Sequence, residues 1–326
     1  MKFARLRRAS LGGALAIALA LASAACGGSD SEKSPNGLEK TNLNVGVMPI
    51  IEGAAVQIAI TKGYFKAEGL TVNLKQIAGG AAAIPQLKSG QLDISQGGHV
   101  GWLLAADSGT LKPKIIAEAS SMTKNLNAIL VAKDSTISSP KDLVGKKIAT
   151  NAKHDQIALL VRSALAPYGV QIDEDKDFQL IPFPNQEAAL KEKKVDAVVV
   201  PEPFVTQIQQ NIGARLLTDF STGVTKDIPI TGYAASEDFV KENPKTVAAF
   251  QRAIVKAQAD AADRAVLQEV VPKYTKLPPA VISVVALNDF PTSTSASRIQ
   301  RVADVMKQFG YLKHDIDVNS IVVQNG

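Results

Sequence analysis

The sequence predicts an α/β protein built as two lobes, and three observations carry that prediction. Short apolar runs alternate with helical stretches of about 10–15 residues, the pattern of parallel strands covered by helices. One kind of strand ending occurs twice, in "LKSGQLDISQGG" (87–98) and "LKEKKVDAVVVPEPF" (190–204). Each reads Leu-Lys, a polar turn, an apolar residue, Asp, and a strand that stops abruptly. The chain of 326 residues is also longer than one α/β sheet holds comfortably.

The elements follow in order. "LNVGVMPI" (43–50) reads as a first strand ended by Pro49, and 52–69 as one helix with Ala55, Ile58, Ala59 and Phe65 on a face, closing at Gly69. "LTVNLKQI" (70–77) alternates as a strand should. "AGGAAAIPQLKSG" is a glycine break and a small-residue helix, expected to be interrupted near Pro85. A strand at 92–98 and a helix at 99–109 come next. The alternation resumes at "LVGKKIATN" (143–151), then a helix at 154–169, a strand at 178–184, a helix at 185–194 and a strand at 195–204. After Ala235 the pattern is helical, beginning with Ser236 as a cap and ending in "SASRIQRVADVMKQFGYL" (295–312). These last helices are expected to pack on a lobe already built.

Residues 1–25 carry a basic head (Lys2, Arg5, Arg7, Arg8) and an apolar stretch from Leu11 to about Ala22, the layout of an export signal. Cys26, the sole cysteine, follows at once in "SAACGGS", which resembles a bacterial lipobox with Ser23 where Leu is usual. Lipidation of Cys26 and an extracytoplasmic place on the bacterial cell membrane are the expectation. Residues 26–40 read as a flexible tether. Removing the four basic residues of the signal from the 36 in the chain leaves 32 against 31 acidic ones. That balance, with no basic stripe interleaved with aromatics, gives no sign of a nucleic-acid partner.

The expected division is lobe 1 from 41–126 plus 233–326 and lobe 2 from 127–232. "NLNAILVA" (125–132) and "IPITGYAAS" (228–236) are the expected hinge crossings.

"KGYFKAEGLTV", "LKSGQLDISQGG", "DLVGKKIAT", "LKEKKVDAVVVPEPF" and "ADVMKQFGYL" occur in that order along nearly the whole mature chain. Together they resemble the nitrate/sulfonate/taurine group of ABC-transporter solute-binding proteins, which includes relatives binding thiamine-pyrimidine precursors. The resemblance implies a type II periplasmic-binding-protein fold: two α/β lobes, two hinge crossings, and C-terminal helices on the first lobe. It also implies a small-molecule solute, an ABC permease and ATPase as partners, and a monomer with no cofactor.

Ligands of open α/β sheets sit at the carboxyl ends of the strands. The candidates are therefore strand ends: Pro49, Ile51 and Glu52; Gly79 and Gly80; Gln96, Gly97, Gly98 and His99; Asn151, Lys153, His154 and Asp155; and Glu202 and Phe204. Asn127 and Tyr233, in the two crossings, complete the set. Helix N-termini and Lys153 or His154 would suit an anion. Glu202 could equally cap a neighbouring element, Lys153 be a solvated helix start, and His99 bond to backbone. His99, His154 and His314 share no ligand spacing, so no metal site is expected. No nucleophile elbow or HExxH motif is present, and an enzyme is not expected. The resemblance favours an alkanesulfonate or taurine-like solute. None of the strand ends offers an arginine clamp, however, and Glu52, Asp155 and Glu202 fit a zwitterion or a heterocycle better than a bare anion.

Overall fold

The structure, a computed structural model, describes residues 37–324. Ten strands form two five-stranded sheets. The first holds β1 (Asn42–Val47), β2 (Thr71–Gln76), β3 (Ile94–Gly98), β4 (Pro113–Ser121) and β10 (Pro229–Ser236), in the order β2-β1-β3-β10-β4. The second holds β5 (Asn127–Val131), β6 (Ile148–Thr150), β7 (Phe178–Leu180), β8 (Ala197–Pro201) and β9 (Arg215–Asp219), in the order β7-β6-β8-β5-β9. In chain order the helices are α1 (Ala54–Thr61), α2 (Tyr64–Ala67), α3 (Gly80–Lys88), α4 (His99–Asp107), α5 (Gln156–Leu165), α6 (Phe183–Lys191) and α7 (Phe204–Ile212), then α8 (Glu237–Glu242), α9 (Pro244–Ala261), α10 (Arg264–Val270), α11 (Pro279–Ile282) and α12 (Ala296–Gln308).

Both sheets are mixed rather than wholly parallel. β5 runs antiparallel to β8 and β9, and β10 antiparallel to β3 and β4. These are the strands formed just after the chain passes from one sheet to the other. The two segments expected as hinges are thus central strands: Asn127–Val131 is wholly buried, and so is 229–235. Extended, small-residue sequence suits a buried strand as well as a hinge, and burial decides here. The links between the sheets are 122–126 and 220–228. Residues 229–232, expected in the second lobe, pair within the first sheet.

Other expectations are corrected locally. The helix expected over 52–69 is a 3₁₀ turn (Ile51–Gly53), α1 and α2, broken where Gly63 takes φ +73°. Pro85 lies inside α3 without ending it. β4, unread in the sequence, is almost fully buried. Of the expected tether, Cys26 and its neighbours lie outside the described residues, but Leu38 is buried and Glu39 accepts from Lys245 N (3.3 Å) and Thr246 N (3.0 Å), capping α9. Lys40 Nζ pairs with Asp93 at 2.8 Å. The chain is therefore fixed to the first lobe from residue 38 on.

α1, α2 and α9 cover one face of the first sheet; in the core between them Phe65 stacks on Phe250, and Tyr233 meets Phe250 edge-on. α3, α4 and α12 cover the other. That second core continues into the second lobe: Val100, Leu103, Ile299 and Val302 belong to one buried cluster with Ile148, Leu159 and Leu160. Each such side chain contributes about 1.5–3 kcal/mol when fully buried. Apolar packing of α5 on α4 and α12 therefore helps hold the lobes together.

Candidate functional site

In the first sheet β1 leads to α1 on one face, while β3 leads to α4 on the other. Such a reversal opens a crevice between the two strand ends. The chain builds it from the turn 48–53 after β1 and from 97–99 after β3. Glycines let the walls approach closely. A Cβ on Gly97 would fall 2.4 Å from the Trp102 ring and 2.9 Å from Gly80 Cα, so neither wall tolerates a side chain there. One on Gly79 would meet open space.

Buried polar groups gather at this end of the sheet. Gln96 Oε1 accepts from Met48 N (3.2 Å), leaving Gln96 Nε2 buried with no hydrogen-bond partner. Tyr233, directly opposite Gln96 in the β3–β10 pairing, has a buried hydroxyl in the same condition; the Val56 backbone passes nearby without hydrogen-bonding geometry. Both ring nitrogens of His99 are buried and unpartnered, with the Thr231 backbone close but likewise out of geometry. Burial pulls the His99 pKa down to about 3, so its ring is neutral at ordinary pH. Glu52 lies at the same strand ends. Its Oε1 accepts from Ser120 Oγ and Asn288 Nδ2, both at 3.1 Å, and Ser120 also shares a 2.8 Å hydrogen bond with Thr231 Oγ1. Burial pushes the Glu52 pKa up to about 7 against those two hydrogen bonds.

The second lobe reaches this crevice through α5. Gln156 Oε1 accepts from Val100 N at 3.4 Å, and a Cβ on Gly98 would meet Gln156 Cβ at 3.5 Å. Gln156 Nε2 is buried and unpartnered too. Two helix N-termini, those of α4 and α5, thus meet across the lobes. Asp155 caps α5 by accepting from Ala158 N at 2.9 Å, and burial raises its pKa to about 6.

The remaining sequence candidates are engaged elsewhere. Lys153 pairs with Asp175 at 2.8 Å, and His154 is exposed, its backbone N donating to Glu174 at 2.7 Å. Asn151 is exposed and donates to Asp155 (3.4 Å); Asn127 is buried and donates to Met122 Sδ (3.8 Å). Pro49 is exposed and Ile51 is core. Glu202 is capped rather than open: Thr206 N (3.0 Å), Thr206 Oγ1 (2.8 Å) and Ala286 N (3.0 Å) all donate to it. Since Ala286 precedes α12 in the segment beside the first sheet, that carboxylate ties the lobes together. Phe204 packs half-buried on Phe183, ring centroids 5.8 Å apart, at the ends of β7 and β8. The sequence reading missed Ser120 and Thr231, because β4 and the start of β10 were not read as strands. It also passed over Gln156, one position beyond Asp155.

Among the described residues no group of three or more His, Cys, Asp or Glu could hold a metal, and no helix is long and apolar enough to cross a membrane. A cavity of about 460 Å³ lies at the opposite end of the first sheet. Its polar groups are already paired, His314 Nδ1 with Asp107 at 2.9 Å and Lys114 with Glu237 at 3.2 Å.

The fold recurs in known proteins. The aliphatic sulphonate binding protein SsuA of Escherichia coli superposes with a TM-score of 0.73 at 18% identity, over 88% of this chain and 98% of that one. In sequence, the taurine-binding periplasmic protein of Escherichia coli is 28% identical over 222 residues, 68% of this chain and 66% of that one. The nitrate import ATP-binding protein NrtC of Synechocystis is 28% identical over 260 residues; that covers 74% of this chain but only 38% of the relative's length. Residues 36–272 match the NMT1-like family, a span that takes in both sheets. The chain is therefore a member of the NMT1-like family, built on the two-lobed periplasmic-binding-protein fold of the nitrate, sulfonate and taurine group.

Proposed function

We propose that the chain is the extracytoplasmic solute-binding component of an ABC importer, a binding protein and not an enzyme. It captures a small organic solute in the crevice between its lobes and hands it to a membrane permease and its ATPase. One observation carries the reading. Gln96 Nε2, both nitrogens of His99 and Tyr233 Oη in the first lobe, and Gln156 Nε2 in the second, are buried hydrogen-bonding atoms with no partner in the protein. Each such group costs about 1–3 kcal/mol, and native proteins keep few of them. A solute that satisfies groups from both lobes turns that cost into affinity and favours the closed form. The relatives' functions, nitrate import and taurine binding, support the same reading. Lipidation at Cys26 would place the protein on the outer face of the cell membrane as a monomer.

For the solute, an alkanesulfonate or taurine-like compound is the first reading, supported by the taurine- and sulphonate-binding relatives. The Phe183–Phe204 pair favours a second: a pyrimidine- or flavin-like heterocycle, or an aromatic carboxylate, whose ring would lie on those faces. Thermal unfolding against a panel of taurine, alkanesulfonates, nitrate, pyrimidines, riboflavin and aromatic acids tests the function. A solute at a hundred times its Kd adds about 2.7 kcal/mol of stability. A shift from at least one member is expected; a flat panel counts against solute capture at this crevice.

A further inference from the structure

We infer that Glu52 recognises an ammonium or protonated ring nitrogen on the solute, so that the site takes a zwitterion or a cation in preference to a bare anion. This rests on the reading of the crevice as the solute site. The geometry is asymmetric about the carboxylate. Ser120 Oγ and Asn288 Nδ2 both donate to Oε1, fixing the group, while among the described residues no donor reaches Oε2. Glu52 is only part-buried and Oε2 is not among the fully enclosed unpartnered atoms, so this oxygen keeps some exposure.

Among the described residues no cation forms an ion pair with it. Arg298, on α12, is committed to Glu118 (3.2 Å) and Ser121, and Lys153 to Asp175. The carboxylate is joined through Ser120 to Thr231 and lies near Tyr233 and, through Gly53, Gln96, all neutral groups. A bare anion there would face a fixed acid with no basic side chain to offset it. An ammonium would supply the charge partner that this part-buried carboxylate lacks. The loop that holds Glu52 through Asn288 also donates from Ala286 to Glu202 of the second lobe. Engagement of Glu52 is thus mechanically linked to the segment that ties the lobes.

Acidity supplies an independent readout. Burial places the Glu52 pKa at about 7. The other titratable groups facing it are Tyr233 from β10 and Tyr274 from the turn after α10, both pushed above their usual range by burial and neutral throughout. Affinity for an ammonium solute should therefore weaken by about tenfold per pH unit well below pH 7. A solute without the ammonium should show no such loss.

The test uses calorimetric titration with two matched pairs, taurine with isethionate and phenethylamine with 2-phenylethanol, which differ only by ammonium against hydroxyl. Wild type and Glu52→Gln are compared, Gln keeping an oxygen for Ser120 and Asn288. At least one ammonium member is expected to bind about 30-fold or more tighter than its twin, with Glu52→Gln bringing the pair within about threefold. An equal or tighter hydroxyl twin, or a preference that survives the substitution, overturns the inference. Should Glu52→Gln fold poorly, the wild-type pH profile decides, and a flat profile overturns it. If neither ammonium member binds while another panel compound does, the crevice reading stands and this inference falls. If that compound also binds undiminished after Gln96→Leu, the crevice reading itself fails.

Discussion

Removing one hydroxyl, by Tyr311→Phe, should loosen the closed form without touching the crevice. Tyr311 follows α12 and belongs to a segment fixed to the first lobe: Lys313 N and His314 N each donate to Asp107 at 3.0 Å, and Val323 N donates to Ile115 O at 2.9 Å. Its hydroxyl donates to Glu174 of the second lobe, a nearly buried carboxylate that also takes His154 N (2.7 Å) and Arg162 Nη1 (3.4 Å). The Arg162 guanidinium lies 5.3 Å from the Phe309 ring centroid and 5.5 Å from that of Tyr311. A hydrogen bond to a charged group is worth about 1.5–3 kcal/mol, and Glu174 keeps two other donors, so the lower end applies. About 1.4 kcal/mol is a tenfold change in the ratio of closed to open forms. Over about 290 described residues, an unfolding entropy of about 2.1 cal/mol/K per residue makes the same loss a fall of about 2–3 °C in Tm. Small-angle scattering of the ligand-free protein should show a larger radius of gyration for the variant, and calorimetry a lower Tm. An unchanged radius and unchanged Tm would refute the idea that this contact holds the lobes.

Three further outcomes follow from the same geometry. Arg298→Met strands Glu118, whose side chain is fully buried and whose pKa burial already raises; because Arg298 is itself a third exposed, a loss of about 3 kcal/mol, the low end for a broken buried pair, is expected in chemical denaturation. Gly97→Ala drives a methyl into Trp102 and Gly80, so it should cost about 1–3 kcal/mol and shift the emission of Trp102, the only tryptophan. His99 is held neutral, with a folded pKa of about 3 against an ordinary 6.5, so the unfolded chain takes up its proton first as pH falls. Its contribution to stability is therefore unchanged above pH 6.5 and declines by about 1.4 kcal/mol per pH unit between 6.5 and 3. Glu52, with its raised pKa, acts in the opposite sense between about pH 7 and 4.5. The readout is accordingly the difference between wild type and His99→Gln, whose stability should fall less steeply on acidification.

Much of the fold was legible because each βα unit carries its own local signal. β1, β3, β6 and β8 are short runs closed by glycine, proline or a polar turn, and β2 alternates apolar and polar residues. β5 and β10 carry no direction in their sequence; only pairing across the sheet shows that they run against their neighbours. The strand-end rule pointed to Glu52, Gln96 and His99, and the structure does place all three at the strand ends of the first sheet, since topology alone sets that position. It could not foresee local partners: Asp175 for Lys153, Glu174 for His154, and Thr206, four positions on, for Glu202. It missed Ser120 because "PKIIAEASS" alternates poorly, both faces of β4 being buried.

The central claim is that one solute is gripped by both lobes at the crevice. The most direct test is calorimetric affinity of the best panel solute for Gln96→Leu in the first lobe and Gln156→Leu in the second, each checked for folding by its melting temperature. Loss of about tenfold or more in both variants, with Tm within a few degrees of wild type, is the predicted result. Undiminished affinity in either folded variant would contradict the claim and move the solute site elsewhere.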